Sequence, residues 1–112
     1  MKQINRRREI VVGLTLTALS DTSPLSPFFA KAGCIAVVRS ERPPPLYFKN
    51  QAWTGDWVCA LLTEQRVTRL ICGFINLQAR ACLTARGVDV RFGPCRKPAI
   101  ELVSVFEDLP KA

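Results

Sequence analysis

The stretch 57–74, WVCALLTEQRVTRLICGF, decides the predicted fold. It contains two apolar, β-prone runs, Trp57–Thr63 and Val67–Phe74, which are separated by the polar turn 64–66. Two such runs on either side of a short polar turn are typical of a β-hairpin. We therefore predict that these residues form two antiparallel strands.

The same plan extends outward along the chain. A second pair of runs, Ala79–Thr84 and Val88–Phe92, surrounds the turn 85–87, and Ala99–Phe106 supplies a last strand with apolar residues on one face. On the N-terminal side, Cys34–Arg39 is a short β-branched strand candidate. The sequence thus predicts an all-β domain, mainly an antiparallel β-meander, that is small enough to need bracing by disulfides.

The cysteines are the expected source of that bracing. Cys59, Cys72, Cys82 and Cys95 have 12, 9 and 12 residues between them, so no Cys-x-x-Cys knuckle suggests a metal or redox centre. In the predicted hairpin Cys59 lies opposite Cys72, and Cys82 with Cys95 is the simplest remaining pair. Four cysteines allow three connectivities, and the sequence does not choose among them. Cys34 is left as a free thiol.

The N-terminal segment has the three zones of an export signal. A basic start is followed by the apolar run Ile10–Leu19, which is too short to span a membrane, and by Ala30-Lys31-Ala32, which predicts cleavage after Ala32. This assigns residues 1–32 to a signal, 33–52 to a strand with a Pro-rich linker, and 53–112 to the small β-rich domain.

The run Arg7-Arg8-Glu9-Ile10-Val11 resembles the twin-arginine motif of bacterial export signals. That resemblance implies a periplasmic or secreted protein. A general secretory signal and a cytosolic protein whose N-terminus only resembles a signal remain alternatives. Because Gly33-Cys34 follows Ala32, a lipid anchor on Cys34 is a further alternative, although Lys31 departs from the lipobox pattern.

Composition argues against catalysis. The chain has no histidine, and its carboxylates are scattered, so neither a Ser-His-Asp arrangement nor a paired acid and base can be recognised. No Gly-rich phosphate loop is present. We predict no enzyme activity, no cofactor and no metal site.

Two kinds of side chain are candidates for binding. Trp53 and Trp57 flank a Gly turn and could act as aromatic anchors, while Arg69 and Arg91 could form a basic stripe on one sheet face. A core position for Trp57 and a solvated face for the arginines are the alternatives. The net charge is +7 over the whole chain and falls to +4 without residues 1–32, because eleven basic and seven acidic residues remain.

These observations predict a small secreted or periplasmic binding or inhibitor-like module. Its expected partner is another protein or an anionic surface, and nucleic acid is not expected because the mature charge is modest. Two alternatives stay open: an accessory subunit exported with a larger enzyme, and a basic nucleic-acid-binding protein retained in the cell.

Overall fold

A computed structural model describes residues 9–40 and 44–112, which form a mixed five-stranded sheet with helical elements on both faces. The strands are β1 (Val11–Leu16), β2 (Cys34–Arg39), β3 (Leu46–Lys49), β4 (Arg69–Cys72) and β5 (Asp89–Phe92). The helices are α1 (Gly55–Glu64) and α2 (Leu77–Ala85), and a 3₁₀ segment (Ala99–Asp108) follows β5. The prediction of an all-β meander is therefore wrong.

The strand order is β3-β2-β1-β4-β5. The pairs β1–β2 and β2–β3 are antiparallel, whereas β1–β4 and β4–β5 are parallel. Parallel neighbours need a crossover connection. The connection from β1 to β4 runs through β2, β3 and α1, and the connection from β4 to β5 runs through α2. The predicted strand at Cys34–Arg39 is confirmed, and β4 and β5 lie within the predicted runs Val67–Phe74 and Val88–Phe92.

The first predicted hairpin strand, Trp57–Thr63, is instead the body of α1. Thr54 caps this helix, since its Oγ1 accepts a hydrogen bond of 3.2 Å from the Trp57 N–H. Buried residues recur at helical spacing, at Val58, Leu61 and Leu62. A short apolar run fits a strand or a buried helix equally well, so the cap was the informative signal.

The run Ala79–Thr84 is likewise helical. Asn76 caps α2 by accepting a 2.8 Å hydrogen bond from the Ala79 N–H, and the helix contains three alanines. Alanine has the highest helix propensity, which opposes the strand prediction. The helix ends before Gly87, whose φ of 85° belongs to the left-handed region.

The predicted last strand, Ala99–Phe106, is also wrong, because these residues belong to the 3₁₀ segment. Ala99, Leu102 and Phe106 are its buried side chains, and helical geometry is interrupted at Val105. The segment covers the sheet face opposite α1 and α2.

The strand β1 lies at the centre of the sheet, and all six of its residues are buried. Leu14 and Leu16 contact the core beside the 3₁₀ segment, whereas a Cβ on Gly13 would lie 2.8 Å from the Leu62 side chain of α1. A strand covered on both faces is expected to be apolar throughout. The run predicted to be the apolar zone of a signal therefore forms the central strand.

The predicted boundary between residues 33–52 and 53–112 falls within one continuous sheet, since β2 and β3 precede it and β4 and β5 follow it. Arg7 and Arg8 of the twin-arginine resemblance lie outside the described residues, as does Pro43. Within residues 9–40 and 44–112, no helix has the length and apolar character needed to cross a membrane.

Candidate functional sites: an apolar rim and a thiol-lined groove

The carboxyl ends of β1, β4 and β5 lie at one edge of the sheet, because these three strands are parallel. We call this the carboxyl edge. The segments that leave it are residues 17–33, 73–76 and 93–98. In sheets with parallel strands, ligands commonly bind at this edge.

Four large apolar side chains are exposed on the segments that leave the carboxyl edge or directly after them: Leu19, Phe28, Phe74 and Leu77 are 57%, 54%, 63% and 68% exposed. The two phenylalanine rings meet edge to face, with centroids 6.4 Å apart. Their backbones are paired, since the Phe74 N–H donates to the Pro27 carbonyl at 2.7 Å and the Phe29 N–H donates to the Phe74 carbonyl at 2.8 Å. We call Phe28, Phe74 and Leu77 the apolar rim.

The backbone that carries the rim is held by a close crossing. A Cβ on Gly73 would lie 2.6 Å from the carbonyl oxygens of Ser26 and Pro27, so only glycine allows the two segments to approach this closely. Buried Ser26 also donates from its hydroxyl to the Phe28 carbonyl at 2.9 Å. The rim is therefore a positioned surface, which lowers the ordering cost of binding.

A buried asparagine holds the neighbouring turn. Asn50 is 1% exposed. Its Nδ2 donates to the carbonyls of Ala32 at 2.8 Å and Ala30 at 3.2 Å. Its Oδ1 accepts a 2.8 Å hydrogen bond from the Trp53 N–H. Trp53 has a φ of 58°, an uncommon conformation for a residue with a side chain. Asn50 thus holds the backbone of Trp53 next to residues 30–32, with the Trp53 side chain exposed. The sequence analysis missed this positioning role of Asn50.

An open groove of about 770 Å³ lies between α1 and α2. Trp57, half-buried, lines it together with Cys59, Cys82 and Arg86, whereas Trp53 is not among its lining residues. The two tryptophans predicted to act together are therefore assigned to different surroundings.

The cysteines that influence each other are not the predicted pairs. Cys59 of α1 and Cys82 of α2 both line the groove, and Cys82 raises the pKa of Cys59, whereas Cys95 raises the pKa of Cys72 at the end of β4. Cys59 and Cys72 cannot face each other across a hairpin, because one lies on a helix and the other on a strand. All five cysteines, which lie within the described ranges, are free thiols. The prediction of a disulfide-braced domain is therefore wrong.

Burial suppresses ionisation of the Cys34, Cys59 and Cys72 thiols. It raises the pKa of Cys59 to about 11, with the neighbouring Cys82 and Asp56 acting in the same direction and Arg86 against them. Burial, with a smaller effect of Cys95, raises the pKa of Cys72 to about 12. Cys34 is fully buried as the first residue of β2, and burial raises its pKa as well. A lipid anchor on Cys34 stays a prediction.

The two arginines that were expected to form a basic stripe, Arg69 and Arg91, make contacts within the molecule. The guanidinium carbons of Arg69 and Arg91 each lie 4.7 Å from the centroid of the Phe106 ring. Arg69 also contacts the Glu107 carboxylate at 3.3 Å, and Arg91 forms two 3.0 Å hydrogen bonds with Asp89. Both arginines therefore join the 3₁₀ segment to the sheet and lie apart from the groove and the rim.

Positive charge is nevertheless present at the carboxyl edge. Arg96 and Lys97 follow β5 and are exposed, and Lys31 is exposed three residues after Phe28. Among the described residues, no group of three or more cysteine, aspartate and glutamate side chains converges in the manner of a metal site.

The sequence matches no protein-family model and no curated protein at a significant level. Its fold is similar to that of the apo orange protein from Desulfovibrio gigas, at 19% identity and a TM-score of 0.78, over 91% of this chain and 92% of that one. A Thermotoga protein of the DUF35 family, provisionally named NifB, is 22% identical with a TM-score of 0.76 over the same shares.

A protein from Methanococcus jannaschii provisionally named a dinitrogenase is similar at 15% identity, with a TM-score of 0.70 over 93% of each chain. At these identities the likeness shows the fold alone. One fold can host unrelated functions, so function has to be argued from the rim and the groove.

Proposed function

We propose that this chain is a small accessory binding protein, without catalytic activity of its own, that docks an acidic partner protein on the apolar rim. The proposal assigns the partner to the carboxyl edge, where the rim side chains and the exposed cations lie together. It also requires that residues 9–32 stay in the folded chain. The observation that carries it is the exposure of three large apolar side chains on a rigid backbone.

The rim has the composition of a binding anchor. Aromatic side chains bury a large area at little entropic cost, and clusters of them commonly dominate interface energies. The two rings of Phe28 and Phe74 already contact each other, so they present one continuous apolar surface. Contiguous exposed apolar surface of this kind is a mark of protein–protein contact sites.

The positive charge at the carboxyl edge favours an acidic partner. Lys31, Arg96 and Lys97 are exposed on the segments that leave the carboxyl edge, where Asp21 is the exposed acidic residue, and the chain as a whole carries +7. A symmetric dimer formed through the rim would bring the same cations of two copies together, which is unfavourable. An acidic surface with an apolar centre is complementary to this edge, so we favour such a partner over a second copy.

The sheet supports the proposed retention of residues 9–32. β1 pairs with β2 on one side and β4 on the other, and the bond after Ala32 lies next to a carbonyl that Asn50 holds at 2.8 Å. Cleavage there would remove the central strand and Phe28. Export through the predicted signal stays a prediction. It would require this segment to be extended and accessible rather than folded into the sheet.

The rim can be tested by photo-crosslinking in the cells that produce the protein. A photoreactive amino acid replaces Leu77, which is 68% exposed, and the matched control replaces Val105, which is 41% exposed in the 3₁₀ segment on the other face. We expect one acidic protein to be joined at position 77 and not at 105. Identical products from both positions, or products made only of this chain, would contradict the proposal.

The identified partner then permits a binding measurement. Replacing both Phe28 and Phe74 by Ser should weaken binding by roughly 30-fold or more, since loss of an aromatic anchor costs about 2 kcal/mol. Both rings are more than half exposed, so the variant should fold as the wild type does. Unchanged affinity in this folded variant would exclude the rim as the docking surface.

A further inference from the structure

The two edges of the sheet differ in what covers them. At the outer edge of β5 the C-terminal residues add a short segment, since the Phe92 N–H donates to the Pro110 carbonyl and the Ala112 N–H donates to the Val90 carbonyl, both at 2.9 Å. At the outer edge of β3, no backbone hydrogen bond from the part of the chain that the structure describes reaches the strand. An uncovered edge of this kind is a template for a further strand.

The hydrogen-bond alternation identifies which groups of β3 point outward. The Asn50 N–H donates to the Gly33 carbonyl at 3.1 Å, and these two residues continue the register of β2 and β3 by one position. In an antiparallel ladder every second pair of opposite residues exchanges hydrogen bonds. Phe48 is therefore bonded to β2, whereas the backbone N–H and C=O groups of Tyr47 and Lys49 point away from it.

We propose that the outer edge of β3 binds an extended segment of another protein in which acidic and apolar residues alternate. The outward groups of Tyr47 and Lys49 supply hydrogen-bond donors and acceptors for the backbone of that segment. Side chains alternate between the two faces of a sheet, so its residues lie in turn beside Lys49, which is exposed, and beside Phe48, which packs against the core on the other face. A carboxylate complements the first position and an apolar side chain the second.

The same edge disfavours a second copy of this chain. If two copies pair antiparallel with Tyr47 opposite Lys49, the two Lys49 residues lie diagonally on one face, roughly 7–8 Å apart, and their charges repel. If Tyr47 lies opposite itself, Lys49 faces Pro45, which has no N–H to donate. Charge and proline are common devices against self-association of sheet edges. An acidic strand turns the repulsion into an attraction and can end before Pro45.

The proposal does not depend on the apolar rim. β3 is the outermost strand on its side of the sheet, whereas Phe28 and Phe74 lie on segments that follow β1 and β4. The chain that carries Phe28→Ser and Phe74→Ser should therefore keep an intact β3 edge. Failure of one docking proposal leaves the other standing.

Hydrogen exchange in the full-length, isotope-labelled chain tests the edge directly. In the protein alone, the amides of Tyr47 and Lys49 should exchange much faster than the amide of Phe48, which is bonded to β2. A short blocked peptide of alternating glutamate and valine, added at low salt, should slow exchange of the two outward amides by about 10-fold or more, because a bonded amide exchanges only after opening. A peptide of alternating lysine and valine is the matched control and should leave them unchanged.

Two substitutions at one exposed position separate backbone pairing from charge. Lys49→Pro removes an outward N–H and leaves the hydrogen bonds between β2 and β3 in place, whereas Lys49→Ala keeps that N–H and removes only the charge. Affinity for the glutamate–valine peptide should be about 10-fold lower in Lys49→Pro than in Lys49→Ala, because only the proline variant leaves an acceptor of the peptide unpaired. Circular dichroism checks that both variants fold, and the exchange measurement decides alone if the proline variant does not.

Four results would overturn the proposal. Slow exchange of Tyr47 and Lys49 in the protein alone would show that the edge is already covered, and protection that grows with protein concentration would identify a second copy as the occupant. Exchange that the glutamate–valine peptide leaves unchanged would exclude an acidic strand. Equal peptide affinity of Lys49→Pro and Lys49→Ala would exclude backbone pairing.

Discussion

The two faces of the sheet are covered by helical elements of different kinds. On one face, α1 and α2 have side-chain caps from Thr54 and Asn76 and hold their own ends. On the other face, the 3₁₀ segment begins at Pro98 without a side-chain cap and loses helical geometry at Val105. Both faces are held by packing against the sheet, but only the helices of the first face have side chains that cap their N-termini.

This difference explains how the polar side chains are used. The guanidinium groups of Arg69 and Arg91 both lie against the Phe106 ring, and Arg91 also donates to the backbone carbonyls of Phe106 and Leu109 at the C-terminal end of the 3₁₀ segment. Cys59, Cys82 and Arg86, by contrast, line the open groove between the two capped helices.

The largest expected effect comes from removing the strand that both faces share. A chain that begins at Gly33 lacks β1, so β2 and β4 lose their common neighbour. We expect it to be unfolded, because this loss exceeds the net stability of a domain, about 5–15 kcal/mol. Circular dichroism and urea denaturation measure the outcome.

The matched control for that deletion removes only residues 1–8 and leaves β1 intact; it should unfold cooperatively. Cooperative unfolding of the chain that begins at Gly33 would contradict the assignment of β1 as a structural strand. It would also restore support for the predicted signal peptide.

An intermediate effect is expected from Phe106→Ala, which acts on one face only. Phe106 is 2% exposed and contacts both arginines, so its truncation should lower the free energy of unfolding by about 3–5 kcal/mol. The exposed neighbour Val105→Ala should change it by no more than about 0.5 kcal/mol. Urea denaturation compares the two variants.

Hydrogen exchange then distinguishes the faces. In Phe106→Ala, amides of the 3₁₀ segment should lose more protection than those of α2, because only the former depends on the arginine contacts. Equal loss on both faces would show that the two helical layers unfold as one unit and would remove the contrast between them.

The smallest effect is expected from Asp89, which orients Arg91. Hydrogen bonds from Arg91, assisted by the charges of Arg91, Lys111 and Arg69 and opposed by burial, hold the pKa of Asp89 below its ordinary value. A carboxyl with a lowered pKa stabilises the fold above its unfolded pKa, about 3.9, and loses that contribution as pH falls through the folded value.

The stability difference between wild type and Asp89→Asn should accordingly stay constant from about pH 7 to pH 5 and shrink below about pH 4. Urea denaturation at each pH measures it, and Val105→Ala serves as a control without a titrating group. A difference that remains unchanged down to the lowest pH would show that the carboxylate does not stabilise Arg91 through its charge.

Part of this architecture was accessible from the sequence. Cys34–Arg39, β4 and β5 were predicted because β-branched runs between turn signals favour strands. The helices were missed because their apolar runs are as short as strands, and the caps at Thr54 and Asn76 carried the only local contrast. The rim was missed because Phe28 and Phe74 resemble core residues in sequence, and their exposure follows from the backbone crossing at Gly73.

What the sequence by itself determined was a basic chain without histidine, with three of its strands and an apolar N-terminal run. Those properties depend on residue type and local order alone. Only the tertiary structure decided that this run is the central strand, that Cys59 and Cys82 line one groove and that Arg69 and Arg91 lie against Phe106. Burial on two faces and contacts between distant residues arise from the crossovers between parallel strands. Because a crossover joins residues that are far apart in the sequence, no local sequence pattern predicts these contacts.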